Sequence, residues 1–161
     1  MPPPAIRYAY QLHLQLQGVT PVVWRRLWIL DSTSLAHLHR IVQAAFGWHQ
    51  PLPFYFDIAG QRYGQPSPDE PNDPTMDARR YTLGQLQQHG PVPMLHVCGA
   101  QGAWTLRARI EAVAPAATAP VVPDCIEGRH CPDGSQFNLG DARLRVQALQ
   151  AVPRQKVAEL V

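Results

Sequence analysis

The sequence predicts an α+β domain in which one amphipathic helix packs on a mixed or antiparallel sheet, with long proline- and glycine-rich loops between the elements. Between residues 33 and 48, apolar residues recur at helical spacing, at Leu35, Leu38, Val42, Ala45 and Phe46. Residues 10–17 alternate strictly between apolar and polar side chains, which is typical of a half-buried strand. The 17 prolines and 11 glycines disfavour a helical bundle.

The helix is predicted over residues 34–46. Hydroxyl side chains at residues 32–34 can accept hydrogen bonds from the first-turn amides, and Gly47 can adopt the left-handed conformation that ends a helix. Trp48 is then expected to fold back on the last turn. We interpret His39, on the apolar flank of the helix, as a hydrogen-bonded packing residue rather than a base.

The strand of residues 10–17 is followed by a turn at residues 18–21 and by an apolar, aromatic stretch at residues 22–30. Together they predict an antiparallel hairpin over residues 8–30 that precedes the helix. We treat residues 1–161 as a single domain, because the chain is long enough for one core and too short for two comfortable ones.

Further elements are predicted after the helix. They are extended segments at 53–58 and 61–63, an acidic loop at 66–74, a short helix at 81–88, strands at 92–98 and 104–113, and an Ala/Pro linker at 114–123. The pattern weakens from residue 124, so the fold of residues 124–161 is left open. Residues 141–151 fit a strand or a helix equally well.

Charge and composition argue against a nucleic-acid-binding protein and against a membrane or exported protein. The chain has 14 basic and 12 acidic side chains and a net charge of +2, which is far from the basic excess of a phosphate-binding surface. A nucleic-acid partner is therefore not supported by charge. No apolar run is long enough to span a membrane, and the first residues lack the pattern of a signal peptide. A cytoplasmic location without membrane contact is expected.

The three cysteines predict reduced thiols, because their number is odd and the chain is not expected to be exported. Cys125 and Cys131 are separated by five residues, with His130 beside the second, and Cys98 lies far upstream. A structural zinc site usually takes four ligands arranged as close pairs. A glycine- and proline-containing loop with two free thiols, a disulfide and a metal site all remain open here, and no metal ligand is assigned.

No catalytic residue or cofactor is predicted. The sequence lacks the Gly-x-Ser-x-Gly motif of serine hydrolases, the His-Glu-x-x-His motif of zinc proteases and the Gly-x-x-x-x-Gly-Lys loop of nucleotide-phosphate enzymes. Catalysis is therefore unsupported.

The Trp-Arg-Arg element at residues 24–26 is the strongest candidate for an exposed functional surface. On a strand, Trp24 and Arg26 point to one face and Arg25 to the other. One interpretation is a cationic and aromatic surface for an anionic or peptide partner. The other is an arginine that pairs with a carboxylate or with helix-end carbonyls while its neighbours pack in the core.

Several segments resemble one known family. They are Tyr10-Gln11-Leu12, Val23-Trp24-Arg25-Arg26-Leu27, Leu38-His39, Gln43-Ala44-Ala45-Phe46-Gly47-Trp48 and Gly60-Gln61-Arg62-Tyr63-Gly64. In these segments the chain resembles the plasmid Ri open-reading-frame-three-like family, closely over residues 8–64 and loosely over residues 81–131. The resemblance implies a bacterial cytoplasmic α+β domain without an established biochemical function, sometimes labelled a mobile-element passenger or resolvase-like protein.

The departures from that family pattern affect polar positions. Where the family resemblance implies a His-Leu-His-Glu-Phe run, this chain has Leu52 and Phe54 at the two histidine positions. Where it implies a Gly-Asp-Asp-Trp-Glu-His turn, the acids and the histidine are absent, and the apolar residues there include Ala100, Ala103 and Leu106. If typical members hold a metal or acid-base site at these positions, this chain has kept the scaffold and lost the site.

The sequence therefore predicts a non-catalytic binding or interaction module for an unidentified protein or anionic partner. The candidate binding residues are Trp24, Arg25, Arg26, Trp48 and Trp104. The alternative is a divergent small hydrolase or nucleic-acid-processing enzyme linked to mobile elements, using a new site around Cys98, His96 and His130.

Overall fold

The computed structural model describes residues 7–87, 93–99, 103–118 and 121–150. The strands are β1 (Tyr8–Leu16), β2 (Trp24–Leu30), β3 (Phe54–Ile58), β4 (Gln61–Gly64), β5 (Met76–Asp77), β6 (Met94–Cys98), β7 (Trp104–Pro115) and β8 (Asp124–Arg129). The α-helices are α1 (Leu35–Phe46), α2 (Leu83–Gln87) and α3 (Leu139–Gln147). Short 3-10 turns cover Ala78–Arg80 and Ala116–Thr118.

Over these residues the strands form one sheet in the order β5-β4-β3-β6-β7-β1-β2-β8. All neighbouring pairs are antiparallel except β4 and β5. The predicted hairpin is confirmed, with Leu12 opposite Leu27. The other edge of β1 pairs with β7, where Leu14 lies opposite Ala108. The α+β class with a mixed sheet and one main helix is thereby confirmed.

Helix α1 begins and ends as its sequence predicts. The Ser34 hydroxyl accepts a hydrogen bond from the amide of His37, and Gly47 has φ 79°, the left-handed stop. Leu38 and Val42 are buried against the sheet. Burial of this stripe gives the helix its stability, because a twelve-residue helix is marginal by itself.

Residues 124–150 hold structure that sequence spacing does not resolve. Cys125 lies in β8, an edge strand of the sheet, and not in a loop. The ambiguous stretch near residue 141 is helical, as α3. Asp124 is buried and accepts hydrogen bonds from Arg143 and Gln147, so α3 is attached to β8 through a polar contact as well as through apolar packing. The short strand β5 is also absent from the sequence prediction.

The two faces of the sheet differ. Alternate residues of the central strands, including Leu14, Leu27 and Leu106, are buried with α1 in one apolar core. The opposite face carries exposed charges such as Arg107 and Arg109, and no described helix covers it. Within the described residues, no helix is long and apolar enough to cross a membrane.

Candidate functional site

A cleft lies beside α1 on the helical side of the sheet, with a volume of about 540 Å³. Its walls come from α1, from residues 48–54 after it, from the turn at residue 79 and from the last turn of α3. We call it the α1 cleft. Its basic lining residues are His39, Arg40, His49, Arg79 and Arg145, and its apolar ones include Trp48, Leu52, Phe54 and Leu149.

The α1 cleft is electropositive. None of its lining residues, taken over the described part of the chain, is an aspartate or glutamate. Arg79 is paired with Asp77, whose pKa is lowered to about 2 by that guanidinium, so this cation is already compensated. Arg145 donates Nε–H to the carbonyl of Ala44 at 2.7 Å. Its terminal amino groups and the whole guanidinium of Arg40 make no hydrogen bond or ion pair with a described residue, and can receive an anion.

His39 forms part of the cleft wall and is fixed at both ring nitrogens. Its Nε2 lies 3.0 Å from the carbonyl of Leu52, so Nε2 carries the proton and donates. Its Nδ1 then accepts from Nε2–H of His96, at 2.9 Å. Burial lowers the pKa of His39 to about 4. Because neither nitrogen is free to reach a ligand, the ring acts as a neutral wall residue in this arrangement, consistent with the packing interpretation of the sequence.

His96 lies behind His39 and is completely buried. Burial, and then the neighbouring His39, lower the pKa of His96 well below its ordinary value. Its Nδ1 makes no hydrogen bond with a described residue. The ring stacks on Phe56 with centroids 4.4 Å apart. The pair therefore consists of two uncharged imidazoles in an aromatic setting.

A second cavity, of about 430 Å³, adjoins the first. It lies between the indoles of Trp48 and Trp104, whose ring centroids are 5.6 Å apart, and residues 131–138. Phe46 stacks on Trp48 at 5.3 Å, which confirms that Trp48 folds back on the end of α1. Two of the five predicted binding residues thus meet at one place.

Arg25 is not a surface residue. Its side chain has no exposed area, and its Nε donates to the α1 carbonyl of Ala45 at 2.8 Å. The guanidinium lies 4.1 Å from the ring centroid of Phe137, with Phe46 at 4.8 Å. Burial lowers the pKa of Arg25. This is the packing alternative left open by the sequence, in which an arginine satisfies helix-end carbonyls.

Trp24 and Arg26 lie on the opposite face of the sheet, which no described helix covers. Arg26 pairs with Glu111 at 2.6 Å and with Glu127, and its guanidinium covers the ring of Trp24 at 5.3 Å. His13 stacks beside the same indole. The five predicted binding residues therefore divide among the second cavity, the core and the open face, and they do not form one site.

The alternative set of Cys98, His96 and His130 does not converge. The first two lie on β6, whereas His130 follows β8 and contacts the carbonyl of Val22. Strands β7, β1 and β2 lie between β6 and β8, a separation of about 19 Å at normal strand spacing. The three cysteines are free thiols, and the described residues contain no group of three or more potential metal ligands.

Comparison with known proteins identifies the family of this chain. The model of the plasmid pRiA4b ORF-3-like protein family matches residues 8–135, which confirms the resemblance read from the sequence. This chain belongs to the plasmid pRiA4b ORF-3-like family. Uncharacterized protein y4hQ of Sinorhizobium fredii is 30% identical over 124 residues, which is 76% of this chain and 63% of that relative. The chain thus spans less than two thirds of its length.

A solved structure has the same fold. The crystal structure of MM3350, a protein of unknown function from Methanosarcina mazei Go1, matches with a TM-score of 0.68 and 18% identity. The match covers 97% of this chain and 89% of the other. At this identity the likeness establishes the shared architecture, and it carries no function.

Leu52 and Phe54, two positions at which the sequence was expected to depart from the family pattern, line the α1 cleft. Phe54 stacks on His39 with ring centroids 3.9 Å apart, and the carbonyl of Leu52 accepts from the same imidazole. Leu106 is buried in the core, and Ala103 is exposed. Ala100 lies outside the described residues. Leu52 and Phe54 therefore supply apolar wall to the cleft and no metal-ligating side chain.

The cationic residues of the cleft were not predicted from the sequence. Arg40, Arg79 and Arg145 come from three separate elements and have no common motif. The only local signal is Arg40, a charged residue on the polar side of an amphipathic helix, which is ordinarily only solvated. Their convergence is a property of the tertiary structure of this family member.

Proposed function

We propose that this chain is a non-catalytic binding module that holds an anionic partner group in the α1 cleft. The observation that supports the proposal is the lining of the cleft, in which arginines and histidines occur together with apolar side chains and without a described carboxylate. A pocket of this size, mainly apolar with a few placed polar groups, is typical of ligand sites.

The free donors favour a planar or tetrahedral oxyanion. Nε of Arg145 is bonded to the end of α1, so the guanidinium is held in place and its remaining donors need little ordering on binding. Trp48 and Phe54 supply apolar surface beside these donors. A ligand with an anionic group and an aromatic or aliphatic body therefore fits the cleft better than a bare ion.

The engaged nitrogens of His39 support binding rather than catalysis. A general base needs a nitrogen within hydrogen-bond reach of the reacting group, and both nitrogens of His39 have internal partners. The hydrolase or nucleic-acid-processing alternative would need another acid-base residue. Its named candidates on β6 and after β8 lie far apart in the sheet.

The test uses phenyl phosphate as the probe, with calorimetry and thermal unfolding at fixed ionic strength. We expect binding to raise the melting temperature of the wild-type protein, since a ligand that binds only the native state stabilises it. Arg40→Gln should weaken the affinity about tenfold, equivalent to about 1.4 kcal/mol. Arg40 makes no described hydrogen bond or ion pair, so its removal should leave the fold intact.

Arg129→Gln is the matched control, because it removes one exposed arginine from β8, away from the cleft lining. This variant should bind phenyl phosphate like the wild type. The proposal is overturned if the wild-type protein does not bind the probe, or if Arg40→Gln and Arg129→Gln weaken binding equally. Arg145→Gln provides a second cleft variant with the same expected loss.

A further inference from the structure

The α1 cleft and the second cavity share part of their wall. Trp48, His49 and Arg145 line both of them. The two cavities are therefore adjacent, with these three side chains between them, and we call the two together the groove. A ligand that occupies both has to cross this shared wall at Trp48, His49 or Arg145.

One face of α3 follows the length of this groove. Asp141 lines the second cavity, Arg145 lines both cavities, and Leu149 lines the α1 cleft. These residues are spaced by four, so they form one stripe that runs along α3 and onto the turn directly after it. At 1.5 Å per residue the stripe is about 12 Å long. An extended peptide of about four residues covers the same distance.

The charges of the groove differ between its ends. Arg40 and Arg79 line only the α1 cleft, Arg145 lines both cavities, and the carboxylates of Asp133 and Asp141 line only the second cavity. Hydrogen bonds from Ser135 lower the pKa of Asp133, so that carboxylate is ionised at neutral pH. The side chain of Asp141 makes no hydrogen bond or ion pair with a described residue. Between the two charged ends lies the aromatic surface of Trp48.

We propose that the occupant of the groove is a short extended peptide segment of mixed charge. Its acidic side chain pairs with Arg145 in the α1 cleft, an apolar residue packs on Trp48, and a basic side chain pairs with Asp141 in the second cavity. This order follows from charge complementarity along α3. The inference rests on the proposed function, since the acidic side chain occupies the anion position of the α1 cleft.

The experiment is a double-mutant cycle with blocked, unlabelled tetrapeptides. The probe has the order Glu-Phe-Gly-Lys, and its partner has norleucine in place of lysine. In calorimetry, Asp141→Asn should weaken binding of the lysine peptide about fivefold and leave binding of the norleucine peptide unchanged. Asp69→Asn, which removes an exposed acid that lines neither cavity, should affect neither peptide.

The outcomes separate this inference from the proposed function. Binding of phenyl phosphate by both the wild type and Asp141→Asn, together with a lysine-dependent loss in Asp141→Asn, supports the peptide. The peptide inference is overturned if the two peptides bind equally well, if neither binds, or if Asp141→Asn weakens both alike. In each of these cases, unchanged binding of phenyl phosphate supports the anion site of the α1 cleft independently of the peptide.

Discussion

The buried His39–His96 pair predicts that the protein loses stability as the pH falls from 7.5 to 5. Both rings are neutral in the native state, and the native pKa of His39 is about 4 against an ordinary value of 6.5. In the unfolded chain both imidazoles take up protons below pH 6.5. Because the unfolded state then binds more protons than the native state, the free energy of unfolding decreases as the pH falls through this window.

The magnitude follows from the two pKa values of His39. The lowered pKa of His39 leaves the free energy of unfolding almost unchanged at pH 7.5 and reduces it by about 2 kcal/mol at pH 5, for this residue alone. His96 acts in the same direction, because its pKa is lowered too. Against a total free energy of unfolding of about 5–15 kcal/mol, this change is large enough to measure.

The assay is urea unfolding followed by tryptophan fluorescence at pH 7.5 and pH 5.0. Other groups also titrate in this range, so the informative quantity is the difference between the wild type and His39→Gln. The variant lacks the imidazole whose pKa is lowered. Its free energy of unfolding should therefore fall by about 2 kcal/mol less than that of the wild type between the two pH values. His49→Gln, which removes an exposed histidine, serves as the control. Equal pH dependence in the wild type and His39→Gln would refute the reasoning.

Further predictions concern the core, the buried cation and the thiols. Leu38→Ala should lower the free energy of unfolding by about 2–5 kcal/mol in urea denaturation, because it leaves a cavity beneath α1. Arg25→Ala should cost about 3–5 kcal/mol in the same assay, since it leaves the carbonyl of Ala45 without its guanidinium donor. In native protein, an aromatic disulfide reagent should modify Cys131 quickly, whereas Cys98 and Cys125, whose pKa burial raises to about 11, should react only on unfolding.

These three predictions have clear contrary outcomes. As the control, Leu144→Ala, at a residue that is 70% exposed, should change the free energy of unfolding by less than about 0.5 kcal/mol. An equally small change for Leu38→Ala would contradict the assignment of Leu38 to the core. Full stability of Arg25→Lys contradicts the role of the planar guanidinium, because an ammonium cannot reproduce its stacking and separate donors. Equal reaction rates of all three native thiols contradict their different burial.

Local periodicity and caps were sufficient to predict α1. Its apolar stripe, hydroxyl start and glycine stop all lie within fourteen residues, and Gly47 has the expected positive φ. Helix α3 has an N-cap at Asn138 but lacks a matching apolar stripe. Only Ala142 and Val146 of this helix are buried, and Leu144 is exposed, so its apolar pattern does not match its packing face. Its position depends on polar contacts to Asp124 as well as on this apolar packing, and residue spacing does not predict the polar contacts.

For the Trp-Arg-Arg element, the sequence predicts the relative orientation of the side chains but not their tertiary partners. Strand alternation predicted that Arg25 and Arg26 point to opposite faces, and the structure agrees. It could not predict which face α1 covers. Arg25 can be buried because Ala45 provides a carbonyl, Phe137 provides a ring, and Gly128 opposite leaves room for both. Those partners come from distant elements, as do the arginines of the α1 cleft.

The position of β1 between β2 and β7 has a consequence for synthesis on the ribosome. Tyr8 pairs with Pro115 and Leu16 with Leu106, so the second edge of β1 finds its partner only after about one hundred further residues have emerged. Until then the nascent hairpin presents unpaired backbone groups that can pair with another chain. The newly made protein should therefore depend on chaperones, or on slow translation before β7, more than its finished sheet suggests.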